Sequence, residues 1–216
     1  MAKTKYAVVA LYVAVLLVPA VTLLLKFASI SRLFGTFGPP QVEILTVMRV
    51  LGLYGITLMF CQVMLGAFMQ PLTIKVFGRR LKNWHINQGK VAFTLVVSHF
   101  LMYSALNISA LGIASTLDIL VPRFTFNEEG LISLGKFGLV ILTIGVLAAI
   151  YRLRHLIVKF WRKIHIVNYL AFTLVLVHSF FLGEDAHSFP FLALYPIFAA
   201  GLIAAVLYRR VYRVIG

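Results

Sequence analysis

Four histidines at nearly equal intervals carry the chemistry this sequence can do. His85 and His99 stand 14 residues apart in WHINQGKVAFTLVVSHFLMY, and His165 and His178 stand 13 apart in WRKIHIVNYLAFTLVLVHSFFLG. Both stretches are mostly apolar, and an ionisable group inside a membrane is costly enough to mark function. At a helical rise of about 1.5 Å per residue the intervals span about 21 and about 20 Å. Two parallel helices would bring these imidazoles to two shared depths, and facing imidazoles are an axial ligand set for haem iron. One haem would then lie between His85 and His165 and the other between His99 and His178.

Rotation about the helices is less regular. At about 100° per residue, His99 falls within about 40° of the face of His85, but His178 falls about 140° from the face of His165. Either the second helix is irregular or its two ligands attach from different sides. A zinc site is disfavoured because the pairs lie too far apart to share one ion. An oxygen-ligand cation site would need carboxylates within the spans, and the sequence has none there. A haem-free protein using the histidines for helix-to-helix hydrogen bonds is the bland alternative.

The elements that must position these residues are membrane helices. Of 216 residues, 62% are hydrophobic, more than a soluble domain of this size hides. The formal charge of +14 does not indicate nucleic acid, because the basic residues cluster beside apolar runs and no aromatic stacking platforms accompany them. The single cysteine, Cys61, lies within an apolar run and cannot form an internal disulfide. The expected architecture is all-α, one domain over 1–216, with six spans at about 6–28, 44–69, 84–107, 131–151, 164–182 and 191–212. The first apolar stretch is longer than a signal-peptide core, so it reads as a retained span. The fourth span sets Gly135, Gly138 and Gly145 on a face suited to close helix packing.

Orientation follows from charge. With the N-terminus in the cytoplasm, the inner side collects Lys3, Lys5, Lys75, Arg79, Arg80, Lys82, Lys90, Arg152, Arg154, Lys159, Arg162, Lys163, Arg209, Arg210 and Arg213. All the acids, Glu43, Asp118, Glu128, Glu129, Glu184 and Asp185, then fall outside. The expectation is a multi-pass protein of the cell (inner or plasma) membrane with both termini inside.

The pattern H-x(3)-G-x(9)-H-x(3)-Y, carried by His85, Gly89, His99 and Tyr103, resembles the third helix of the ferric-reductase-like transmembrane family. The pattern H-x(3)-Y-L-A-F-x(5)-H-x(2)-F-x-L-G resembles its fifth helix, from His165 through Tyr169, Leu170, Ala171, Phe172, His178, Phe181 and Leu182 to Gly183. That family includes ferric reductases, NADPH oxidases and the haem subunit of a methionine-sulfoxide-repair system. The resemblance covers about residues 44–212. It implies two b-type haems, the inner on His85 and His165 and the outer on His99 and His178, in a haem-dependent transmembrane oxidoreductase or an electron-transfer subunit of one. Three residues follow Arg213, so no flavin or NAD site is expected in the chain. The donor would be a separate cytoplasmic flavin/NAD(P)H reductase or a membrane quinol, and the acceptor ferric iron, oxygen or a partner reductase outside. A quinol-linked cytochrome b subunit anchoring a membrane oxidoreductase complex is the alternative reading.

Other residues take supporting parts in this expectation. Gly89, one turn from His85, offers close approach to a porphyrin or to a neighbouring helix. Arg49 is placed to pair with the outer haem's propionates, or to snorkel to the headgroups. Lys90 and Arg80 are weaker propionate partners and better interfacial anchors. Phe93 and Phe172 lie at depths between the two haems. His155 belongs to a basic loop. His187 with Glu184 and Asp185 could hold a cation or form a plain polar turn.

Overall fold

A chain this apolar must satisfy its own backbone polar groups in lipid, which leaves helices as the economical solution. The computed structural model describes residues 2–27, 40–113, 119–123, 125–151, 164 and 166–215, and no strand occurs among the described residues. Six principal helices follow in order: α1 (Ala2–Phe27), α2 (Pro40–Ala67), α3 (Arg80–Leu111), α4 (Glu128–Ile150), α5 (Asn168–Leu182) and α6 (Leu194–Ile215). Among the described residues, five segments are long and apolar enough to cross a membrane, namely Lys3–Lys26, Glu43–Ala67, Arg80–Leu111, Glu128–Ile150 and Phe191–Val211. The fifth expected span, 164–182, appears as α5, whose 15 residues extend about 22 Å. That is shorter than the roughly 30 Å of a hydrocarbon core.

The helix boundaries have local causes. The second and third spans are joined by a helical turn at Met69–Leu72 and a π-turn at Thr73–Phe77. Gly78, at φ 61°, then turns the chain into α3, and Gly112, at φ 81°, ends that helix. Asn127 caps α4, its side chain accepting from the N–H groups of Glu129 and Gly130 at 3.0 and 3.4 Å. Pro196 lies in the first turn of α6, where a missing N–H costs nothing. Pro19 lies inside α1, and three residues on the Thr22 hydroxyl donates to the Val18 carbonyl at 2.9 Å.

Two antiparallel hairpins, α2 with α3 and α4 with α5, make the most extensive contacts in the molecule. Glycines set their spacing. On α2, Gly52 faces His99, Gly55 faces Val96 and Gly66 faces His85, so each step along α2 is matched by an equal step back along α3. On α4, Gly135 faces His178, Gly138 faces Val175 and Gly145 faces Asn168 in the same manner. Helices α1 and α6 pack against α2. The interior between them is aromatic: Phe172, wholly buried, stands 6.2 Å from both Phe60 and Phe198.

Charge divides the bundle into two ends. Glu43 and Glu128–Glu129 lie in the first turns of α2 and α4, and Glu184–Asp185 directly follows α5. The opposite end carries Lys75, Arg79, Arg80 and Lys82 before and at the start of α3. Arg209 of α6 joins that end, donating to the Gly66 carbonyl at 2.8 Å. Asp118, Arg32, Arg152, Arg154, His155, Lys159, Arg162 and Lys163 lie outside the described residues.

Candidate functional site

An imidazole can bind iron only through a ring nitrogen that keeps its lone pair, so the partner of the other nitrogen decides the matter. His99, on α3, places Nδ1 2.8 Å from the Met48 carbonyl of α2. His178, on α5, places Nδ1 2.8 Å from the Leu131 carbonyl of α4. A carbonyl only accepts, so in both rings Nδ1 carries the hydrogen and Nε2 keeps its lone pair. Neither Nε2 makes a hydrogen bond among the described residues.

Glycine makes these contacts possible. Gly52 follows Met48 by one turn, and a Cβ there would stand 3.0 Å from the His99 ring. Gly135 follows Leu131 by one turn, and a Cβ there would stand 2.8 Å from the His178 ring. Each hairpin therefore holds its histidine with one device: a carbonyl, a glycine one turn later, and a second glycine three residues beyond. Hydropathy and histidine spacing do not single out Met48, Leu131, Gly52 or Gly55. The signal lay in two G-x-x-G stretches, GLYG at 52–55 and GKFG at 135–138, each in the span before a histidine span.

Both rings line one cavity of about 370 Å³ between the two hairpins. That volume falls within the range of cofactor sites, and the walls are mainly apolar, with Ile56, Val96, Leu139 and Val175 among them. The cavity extends to the acidic end, where Arg49, Lys136, Glu184 and Asp185 line it. Two half-buried imidazoles with Nε2 available, mainly apolar walls that include glycines and cations toward one end would suit a haem, which would supply a one-electron iron couple.

Arg49 is in this wall, but its partners are protein carboxylates. Its guanidinium pairs with Glu184 and lies 3.7 Å from Asp185, and Lys26 of α1 also pairs with Asp185. Asp185 is 3% exposed, so these contacts tie α1 and α2 to the α5–α6 connection at the cavity mouth. Glu184 and Asp185 are thus turned toward cations, while the His187 ring stacks edge-on against Phe180 at 5.4 Å. The three do not converge, and no group of three or more metal-binding side chains occurs among the described residues.

At the basic end His85 has different surroundings. Its Nε2 lies 3.2 Å from the Gln62 amide nitrogen, which also donates to the His85 carbonyl at 2.9 Å. A Cβ on Gly66 would stand 3.2 Å from the ring, and one on Gly89 would stand 2.7 Å from the Gln62 amide nitrogen. Gly89 therefore makes room for a side chain of α2. The partner expected for His85, His165, lies outside the described residues. Just beyond it, Val167 donates to the Ile164 carbonyl at 3.0 Å, a three-residue step rather than the four of an α-helix. Lys90 and Arg80 are exposed, as anchors are.

A helical membrane bundle whose two hairpins present imidazole nitrogens to a shared apolar cavity is the architecture of a membrane electron-transfer protein. The chain belongs to the family described as ferric reductase like transmembrane component, whose sequence pattern matches residues 51–176, more than half of its length. Members of this family usually bind haem. Comparisons with curated proteins and with solved structures returned no match.

Proposed function

We propose that this protein is a di-haem b-type cytochrome that carries electrons across a membrane from the basic end of the bundle to the acidic end. The observation that carries the reading is the paired placement of His99 and His178, each fixed through Nδ1 and each lining the same cavity. When bound there, haem supplies a one-electron iron couple between two imidazoles.

The chain's own groups account for the rest. The Met48 and Leu131 carbonyls hold both rings in one tautomer and raise the basicity of Nε2. Lys136 would offset propionate charge at the cavity mouth, where Arg49 already pairs with Glu184 and Asp185. Phe60, Phe172 and Phe198 fill the interior and exclude water. Support for a second level at His85 and His165 is the repeated register: Gly66 faces His85 as Gly52 faces His99. For His85 to use Nε2 there, the Gln62 amide must turn away from it.

Six spans with both termini in the cytoplasm place the basic end inside, as positive charge dictates. A separate cytoplasmic flavoprotein is then the donor, and the acceptor lies outside. The test is a reduced-minus-oxidised absorption spectrum of the purified protein with haem counted per chain. The proposal expects b-type bands and two haems. One haem per chain would remove the second level, and a colourless protein would overturn the whole reading.

A further inference from the structure

Gln62 stands one turn before Gly66 on α2, as Met48 stands one turn before Gly52. At the acidic end that register brings the Met48 carbonyl to Nδ1 of His99 and leaves Nε2 for iron. At His85 the same register brings a side chain, the Gln62 amide, to Nε2 itself. The two levels treat their α3 histidines in opposite ways.

The backbone fixes which end of the amide meets the ring. The atom 3.2 Å from Nε2 also lies 2.9 Å from the His85 carbonyl oxygen, which only accepts, so it is the amide nitrogen. One of its hydrogens goes to that carbonyl and the other to Nε2, which accepts through its lone pair. Iron would need the same lone pair. Gly89 leaves the space for this contact, since a Cβ there would stand 2.7 Å from the amide nitrogen and 3.3 Å from the amide carbon. The amide oxygen is buried and has no hydrogen-bond partner among the described residues. The amide is therefore held through its nitrogen alone, and it can swing off Nε2 while keeping its bond to the carbonyl.

We infer that Gln62 is a positioning residue that makes His85 an exchangeable ligand, so that the haem at that level admits a small neutral ligand of the carbon monoxide class. The inference rests on the second level of the haem reading above. In the exchange the bond from iron to Nε2 breaks and Nε2 takes the amide hydrogen bond. The incoming ligand's lone pair fills the position given up, iron stays ferrous and no proton moves. One hydrogen bond moves such a balance by about tenfold at most. His99 and His178 are tied differently. Their contacts to the Met48 and Leu131 carbonyls run through Nδ1, which aims the ring and strengthens Nε2 as a ligand. The haem between them should stay closed to the same ligand.

The test titrates the reduced, haem-loaded full chain in detergent with carbon monoxide, follows the visible spectrum and counts haem per chain. Wild type should bind carbon monoxide at one of its two haems, the other keeping its low-spin bands. Gln62→Leu, which removes the donor at similar size, should raise the half-saturating concentration about threefold to tenfold and keep both haems. Gln62→Asn, which keeps an amide too short to reach Nε2, should act in the same direction. Wild type that binds no carbon monoxide, binds it equally at both haems, or binds it as both variants do would overturn the inference. Loss of a haem from both variants would also overturn it, because Gln62 would then hold the cofactor rather than compete for its ligand. Wild type with one haem or none would instead sink the second level itself, and the inference with it.

Discussion

At the scale of single residues, the space around His178 shows how tightly a ligand can be drawn. Alanine at position 135 would gain about 0.5–1 kcal/mol of helix propensity over glycine. Its Cβ would stand 2.8 Å from the imidazole, and overpacking of that kind costs about 1–3 kcal/mol. The clash wins, and the ring must leave the Leu131 carbonyl. Gly135→Ala should therefore lower haem per chain while circular dichroism remains helical. At Gly66 the same Cβ would stand 3.2 Å from His85, where a few tenths of an ångström of movement relieves it. Gly66→Ala should shift the thermal unfolding midpoint little. A Gly135→Ala protein with full pigment would show that the carbonyl and glycine do not position the ring.

At the scale of elements, α1 is tied to the bundle near the cavity mouth by charge. Asp185 is buried against Lys26 and Arg49, and removing one partner of a buried pair leaves the others uncompensated. Asp185→Ala should lower stability by up to roughly 3 kcal/mol, a ceiling because Lys26 and Arg49 keep partial solvent contact. Thermal unfolding in detergent checks this, and an unchanged midpoint would show that α1 is held by apolar packing alone. These ties were only half legible in the sequence. Hydropathy and charge alone mark six spans, five of which the structure makes long enough to cross a membrane, and the gathering of acids at one end, because lipid imposes a single period and a single solvent. The partners of Arg49 were not legible, since Lys26, Arg49 and Asp185 meet only once three separate segments converge. The length of α5 was also hidden: 13 residues between two histidines say nothing of where a helix tightens, and the three-residue step at Val167 is a tertiary outcome. The hairpin device was legible in principle, since each G-x-x-G precedes its histidine span. What joined glycine to histidine was an antiparallel register that hydropathy does not encode.

At the scale of the whole molecule, the charge asymmetry makes a topological prediction. The basic loops should face the cytoplasm and the Glu184–Asp185 turn the outside. With Cys61 replaced by serine, a cysteine introduced at Glu184 should react with a membrane-impermeant thiol reagent on intact cells, and one at Lys75 only after lysis. The reverse pattern would invert the direction of electron flow. Electron transfer at the acidic end requires two helical hairpins to close on one cofactor through His99 and His178. Magnetic circular dichroism of the oxidised protein, with haem counted in the same sample, tests that most directly. Wild type should give the low-spin signature of paired imidazoles, and His99→Ala and His178→Ala should each lose the haem at the acidic end and its share of that signal. Full haem content with an unaltered low-spin signal in both variants would contradict the account.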